Sequence, residues 1–202
     1  MEREVIENHK RYVDRKALYQ RFGYDLEKER AFIIEKARPI SGRILEAGTG
    51  KGHFTLALAR EGWGFTTFDM SETEQVFAKL NLKYYRLDRQ VDFAIANGES
   101  LGYEDGCFDV IFSVNMIHHL SSAYKVFAEL GRVLAPDGKM VLSDFNPMGF
   151  AIVEKIHSLE GKRHEVSATT LEDIERYLID RKFIPERHQS AYQDTLIAYR
   201  GA

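Results

Sequence analysis

Cysteine is almost absent. The single Cys107 among 202 residues excludes an internal disulfide and any cysteine-rich metal site. A surplus of charge is also missing: the formal net charge of -3 gives no global attraction to a phosphate backbone or an anionic bilayer, so neither nucleic acid nor membrane is an expected partner. No apolar run is long enough to span a bilayer, and the opening MEREVIENHKR lacks the apolar stretch of a secretory signal. These absences lead to the expectation of a cytoplasmic protein. What is present has an ordinary globular balance. Apolar residues make up 44% and charged residues 29% of a length that suits one domain, and disorder is not expected.

The pattern along the chain changes three times. Residues 1–38 read as a charge-rich helical cap, with Leu26, Ile33 and Ala37 on one face, a break at Gly23 and an end at Arg38-Pro39. From Gly42 to Phe145, short apolar runs alternate with amphipathic helices. The candidate strands are RILEA, GFTTFD, DFAIA, DVIFSVN and KMVLSDF, and the helices begin at His53, Ser71 and Ser121. Strict alternation implies a parallel sheet with helices on both faces, right-handed crossovers and a ligand beyond the carboxyl ends of the strands. Residues 146–168 interrupt the alternation and read as an insertion. The last segment, 169–202, opens with a helix whose cap is Thr169, with Glu172 three residues on. Two strands follow, around ERHQSAY and TLIAYR, joined by only QD as an antiparallel hairpin. The expected fold is therefore a single α/β domain: a doubly wound, mostly parallel seven-stranded sheet ending in an antiparallel hairpin.

The functional question lies in ILEAGTGKGHFTLALAR, a glycine turn between a strand and a helix. A phosphate loop needs Ser or Thr directly after its lysine, and Lys51 is followed by Gly52. The dinucleotide fingerprint needs a third glycine where His53 stands. The remaining pattern, E-x-G-x-G-x-G from Glu46, resembles the class I S-adenosylmethionine-dependent methyltransferases of the small-molecule (type 11) branch, which have a Rossmann-like fold. FTTFDMSE, ANGESLGYEDGCFDVI, FDVIFSVNMIHHL and ELGRVLAPDGKMVLSDF resemble that family's later motifs in the right order, with Pro136 and Gly138 making the turn before the fifth strand. Asp69 lies about 20 residues after the glycine turn, the interval of a ribose-binding acid.

The resemblance implies S-adenosylmethionine as cofactor, with S-adenosylhomocysteine as product, and a set of residues to hold it. Glu46 would accept near the cofactor's ammonium end, and Ala47, Gly48 and Gly50 would form the turn along its methionine part. Asp69 would bind the ribose, with Met70 against the adenine. Asn97 stands where the family often has Asp and, with Gly98 and Glu99, would meet the base. Asn115 would offer its carbonyl. The family often covers its site with an N-terminal cap, which makes Tyr12, Tyr19 and Tyr24 candidate lid residues. Asn146-Pro147 follows the fifth strand, not the fourth, so it is not the motif of amine methylation; Asn146 stays a candidate substrate contact.

His118 and His119, at the carboxyl end of a central strand, are the candidate catalytic pair. Adjacent side chains diverge, so only one is expected to face the methyl group. No third ligand has metal-site spacing, and no metal is expected. Lys162, Arg163 and His164 read as a solvated basic loop. The reaction these residues imply is in-line methyl transfer to a small-molecule acceptor. The alternatives are a non-catalytic cofactor-binding protein and, less favoured, a nicotinamide oxidoreductase. Neither the acceptor nor the oligomeric state is encoded in a motif.

Overall fold

The computed structural model describes residues 2–161 and 166–201; Lys162, Arg163 and His164 lie outside the described residues. Two helices come first, α1 (Arg3–Arg21) and α2 (Leu26–Lys36). Gly23, with φ of +85°, breaks the chain between them, and the Asp25 carboxylate caps α2 by accepting from the backbone N–H of Glu27 and Lys28. The alternating core follows: β1 (Ile44–Ala47), α3 (His53–Arg60), β2 (Phe65–Asp69), α4 (Glu72–Tyr85), β3 (Val91–Ile95), β4 (Phe108–Val114), α5 (Ala123–Val133) and β5 (Leu134–Phe145). The region read as an insertion contains a helix, α6 (Pro147–Leu159). After it come α7 (Leu171–Ile179) and the hairpin β6 (Phe183–Gln189) and β7 (Gln193–Arg200).

The seven strands form one sheet in the order β3-β2-β1-β4-β5-β7-β6, parallel up to β5 and antiparallel from there. Each strand separates the two cores by its period of two. Ile44, Phe112, Val141 and Ile197 face one layer with Ile33 and Leu56; Leu45, Ile111, Met140 and Leu142 face the other with Phe127 and Leu130. A third, smaller cluster stands above the sheet's carboxyl edge, where Tyr19, Tyr24 and Leu26 meet Val153 and Ile156. It joins α1 and α2 to α6. The chain leaves β1 toward β2 on one side and returns to β4 on the other, so the crevice at the end of β1 is the switch point of the sheet.

Three local expectations need correction. The hairpin turn is Ser190 to Tyr192, and Gln193 and Asp194 belong to β7. The polar β6 misled the reading because it is an edge strand, where Pro185 and charged side chains are tolerated. The helix cap is Thr170, whose hydroxyl accepts from Asp173 N–H while the Asp173 carboxylate accepts from Thr170 N–H, one residue beyond Thr169 and Glu172. Pro136 and Gly138 lie within the β5 run. Leu134 is opposite Phe108 and Lys139 opposite Val110, so the residues between them bulge from the ladder instead of ending it.

Candidate active site

The glycine turn begins where β1 ends. Gly48 has φ of +85°, and a Cβ there would come within 2.8 Å of Met116 Sδ. Gly50 has φ of +48°, and a Cβ there would meet no atom within 4 Å, because its missing side chain would point into open space. Packing excludes a side chain at Gly48, and the left-handed backbone disfavours one at Gly50. Asp69, at the end of β2, ties the turn down: its Oδ2 accepts from Gly50 N–H at 2.7 Å and its Oδ1 from Ser71 N–H at 2.9 Å.

Glu46 lies behind this turn. Its carboxylate is 2% exposed and accepts from the hydroxyls of Thr55, at 2.8 Å, and Thr67, at 2.7 Å. The Thr67 hydroxyl lies 2.7 Å from that of Thr49, which accepts from the Gln75 amide. Burial pushes the Glu46 carboxyl up to about 7, against the opposing pull of the two threonines. Glu46, expected as an acceptor near the cofactor's ammonium end, thus stands behind the turn and not in the cleft lining. Its side chain turns toward α3, and Ala47, one residue on, packs into the opposite core.

A cleft of about 580 Å³ opens above the carboxyl ends of β1, β2 and β4. Asp69 and a 71% exposed Met70 border it on one side, together with Asn97, Gly98 and Glu99. Asn97 Oδ1 accepts from Glu99 N–H at 2.9 Å, and a Cβ on Gly98 would lie 3.2 Å from Val126 Cγ1, so this loop is tightly shaped. Gly48 and Gly50 form the floor. Asn115 follows β4 in a left-handed conformation (φ of 55°), with its backbone N–H donating to Ser143 O at 2.8 Å; its buried Oδ1 has no hydrogen-bond partner among the described residues. An acceptor left without a donor at a cleft wall is poised for a ligand.

Both histidines border the cleft. The short helical turn Ile117–His119 wraps them around the end of β4 and leaves their rings 4.0 Å apart. Their surroundings differ. His118 is 3% exposed and its Nδ1 lies 2.5 Å from Asp144 Oδ1, whereas His119 is exposed. The Asp144 carboxylate also accepts the backbone N–H of His118 at 3.1 Å and of Phe145 at 2.8 Å. A carboxylate this close to Nδ1 favours the His118 tautomer that carries its proton there.

The roof is formed by α1, α2 and α6. Tyr19 borders the cleft, as do Arg15, Leu26, Arg30, Val153 and His157. The other lid candidates do not. Tyr12 is buried below α2 and stacks on His53 with ring centroids 5.5 Å apart. Tyr24 is fully buried, and its hydroxyl accepts from Gln193 Nε2 at 2.7 Å and Arg30 Nη1 at 3.2 Å. Asn146, a candidate substrate contact in the sequence, caps α6: its side chain accepts from the N–H of Met148 and Gly149 at 3.0 Å and donates to Ala191 O at 3.1 Å. The sequence reading missed Asp144, Arg15, Arg30 and His157. Asp144 left a faint signal, an acid at the end of a buried strand; the others look like ordinary charged helix positions.

The family model for a methyltransferase domain matches residues 45–142, the stretch that builds the floor and the walls of this cleft. This stretch is a methyltransferase domain of the class I S-adenosylmethionine-dependent type. Over 160 residues the chain is 28% identical to a 27-O-demethylrifamycin SV methyltransferase of Amycolatopsis mediterranei; the match covers 76% of this chain and 58% of the relative. The chain spans between 46% and 63% of the length of the curated relatives it matches. Among solved structures, a Methanococcus maripaludis protein assigned as an S-adenosyl-L-methionine-dependent methyltransferase aligns with a TM-score of 0.73 at 17% identity, covering 98% of this chain and 94% of that one. The geranyl diphosphate C-methyltransferase of Streptomyces coelicolor A3(2), solved with Mg2+, geranyl diphosphate and S-adenosyl-L-homocysteine, aligns with a TM-score of 0.65 at 15% identity, covering 87% and 80%. These structural likenesses show the seven-stranded methyltransferase fold. Among the described residues no helix is long and apolar enough to cross a membrane.

Proposed function

We propose that this chain transfers the methyl group of S-adenosylmethionine to a small-molecule acceptor. The observation that carries the reading is continuity: one cleft runs from the Asp69 and Asn97 loops, over the glycine turn, to the His118–Asp144 pair. The cradle suits such a cofactor. Gly50 opens into the cleft where any side chain would fill it, and Asn115 Oδ1 is a buried acceptor awaiting a donor. Asp69 would hold the ribose, Met70, Asn97, Gly98 and Glu99 the base, and Gly48, Gly50 and Asn115 the methionine part. Glu46 would act from behind, by bracing the turn through Thr55 and Thr67. When bound, the cofactor supplies an electrophilic methyl group on a thioether leaving group.

The chain's own residues then align the acceptor and exclude water, with α1, α2 and α6 closing over the cleft. His118 is the proposed base for a hydroxyl or carbon-acid acceptor. Asp144 is its positioning residue, because the Nδ1 contact fixes the tautomer in which Nε2 takes the proton. His119 would be a wall of the same site. The first test is calorimetry, with S-adenosylhomocysteine binding at micromolar levels and NAD not binding; the opposite result would end the reading. Methyl-labelled cofactor incubated with fractionated metabolites then tests turnover, through a labelled small-molecule product.

A further inference from the structure

A second cavity, of about 460 Å³, meets the cleft at His118 and Phe145, which line both. Its other walls come from α6, the approach to α7, β6–β7 at Asp194 and the end of β5 at Asp144; neither the glycine turn nor Asp69 reaches it. Three rings form one corner. His118 lies 5.5 Å from Phe145 and 5.3 Å from Phe150, and the two phenylalanines are 5.5 Å apart, measured between ring centroids. Four carboxylates line the rest: Asp144, Glu154, Glu172 and Asp194. Among the described residues no lysine or arginine lines this cavity, and none forms an ion pair with Asp144, Glu154 or Asp194. Asp194 accepts from the neutral Gln189 amide at 2.8 Å. Arg187 lies 3.8 Å from Glu172 but is already held by Glu175.

Two properties of this lining select the same kind of ligand. An aromatic ring attracts a cation placed over its face. Carboxylates without a basic partner attract one through their full charges. Helix N-termini work the other way, but α6 and α7 carry only roughly half a positive charge each, and Asn146 and Thr170 already cap them. An anion here would face four acids, and an apolar ligand would strip water from them without replacing it. We propose that this cavity holds the methyl acceptor by a protonated amine, seated against Phe145 and Phe150 and countered by the surrounding acids. The inference rests on the methyl-transfer reading and gives its acceptor a class: an amino compound whose amine is the anchor and whose reacting atom is a different one. The amine stays in the second cavity, and the nucleophile reaches the cleft past His118, the residue common to both. One side chain then meets the acceptor on its way to the cofactor, which is where a base has to stand.

Three probes of one shape test the charge: benzylammonium, benzyl alcohol and benzoate, titrated into the full chain and followed by ligand-observed NMR. Each is added with and without saturating S-adenosylhomocysteine, which occupies the cleft and keeps the probe from Asp69 and Glu99. The expected result is that benzylammonium binds about tenfold more tightly than benzyl alcohol, with benzoate weakest. The double variant Glu154→Gln, Glu172→Gln removes two exposed acids and should weaken benzylammonium about three- to tenfold. Phe150→Leu should weaken it by a similar factor. S-adenosylhomocysteine affinity should stay within about twofold of the parent in both. If Phe150→Leu fails to fold, the double variant decides alone. Benzyl alcohol or benzoate binding as tightly as benzylammonium overturns the proposal. So does benzylammonium that fails to bind, or that binds the double variant as tightly as the parent. Failure of the parent chain to bind S-adenosylhomocysteine would sink the methyl-transfer reading instead, and the cofactor-free titrations would still report on the amine.

Discussion

The floor and the roof of the cleft are built on different principles. The floor uses backbone: a glycine turn, an acid at the next strand's end that holds it, and a left-handed residue after β4. The roof uses side chains from three helices that pack on one another through Tyr19, Tyr24, Leu26, Val153 and Ile156. A backbone-made surface leaves little freedom in sequence, because only certain residues adopt its conformations. A side-chain-made surface has many solutions of equal stability. On the proposed reading, the floor therefore holds the cofactor and the roof meets the acceptor.

The sharpest way to break this division is at the junction between them. His118→Gln is expected to lower turnover about a hundredfold or more while leaving S-adenosylhomocysteine affinity nearly unchanged, and Asp144→Asn to follow it, because the wrong tautomer is then stabilised. His119→Gln should cost less than about tenfold. Equal small losses from all three would return the pair to packing, and steady-state rates with any identified acceptor decide it.

Below the floor, Glu46 gives a signature in stability. Its folded value lies above the ordinary 4.5, so the native chain holds a proton that the unfolded chain releases. Stability from this group is full below about 4.5 and is lost as pH rises through about 7. Glu46→Gln should flatten that decline, a difference on the order of 3 kcal/mol across the window, read from urea unfolding at pH 4.5 and 8. Parallel curves for the two proteins would mean that Glu46 is not protonated in the fold.

Asp69→Ala removes a carboxylate that accepts two backbone N–H groups and stands at the proposed ribose end of the cleft. S-adenosylhomocysteine affinity should fall about tenfold to thirtyfold by calorimetry. In the roof, Tyr24→Phe leaves the Gln193 amide and the Arg30 guanidinium without their acceptor and should destabilise the chain by about 1–2 kcal/mol in urea unfolding. A loss of affinity larger for Tyr24→Phe than for Asp69→Ala would invert the comparison.

The same division explains what could be read from residues alone. The sheet was legible because strand periodicity and glycine spacing are local, and the order of the motifs carried the topology. Asp69 and Asn115 announced themselves by position at strand ends. Glu46 did not reveal its orientation, since which way a strand side chain turns depends on Thr55 and Thr67 arriving from elsewhere. Tyr12, Tyr19 and Tyr24 were indistinguishable as a cluster, yet only Tyr19 reaches the cleft. The capping role of Asn146 was not legible, because caps and substrate contacts draw on the same side chains.

The ties of the roof span most of the chain. Tyr24 is bonded to Gln193 across 169 positions, Glu29 to Ser190 across 161 and Arg15 to Glu160 across 145, whereas Gly50 and Asp69 are 19 apart. Closing so long a loop has an entropic cost that grows with its length, so these ties reward folding only after the sheet has drawn the two ends together. The expected order of assembly is therefore floor first and roof last. A mild denaturant should reverse it, exposing the amides of α1 and α6 to hydrogen exchange while those of β1 and β4 stay protected.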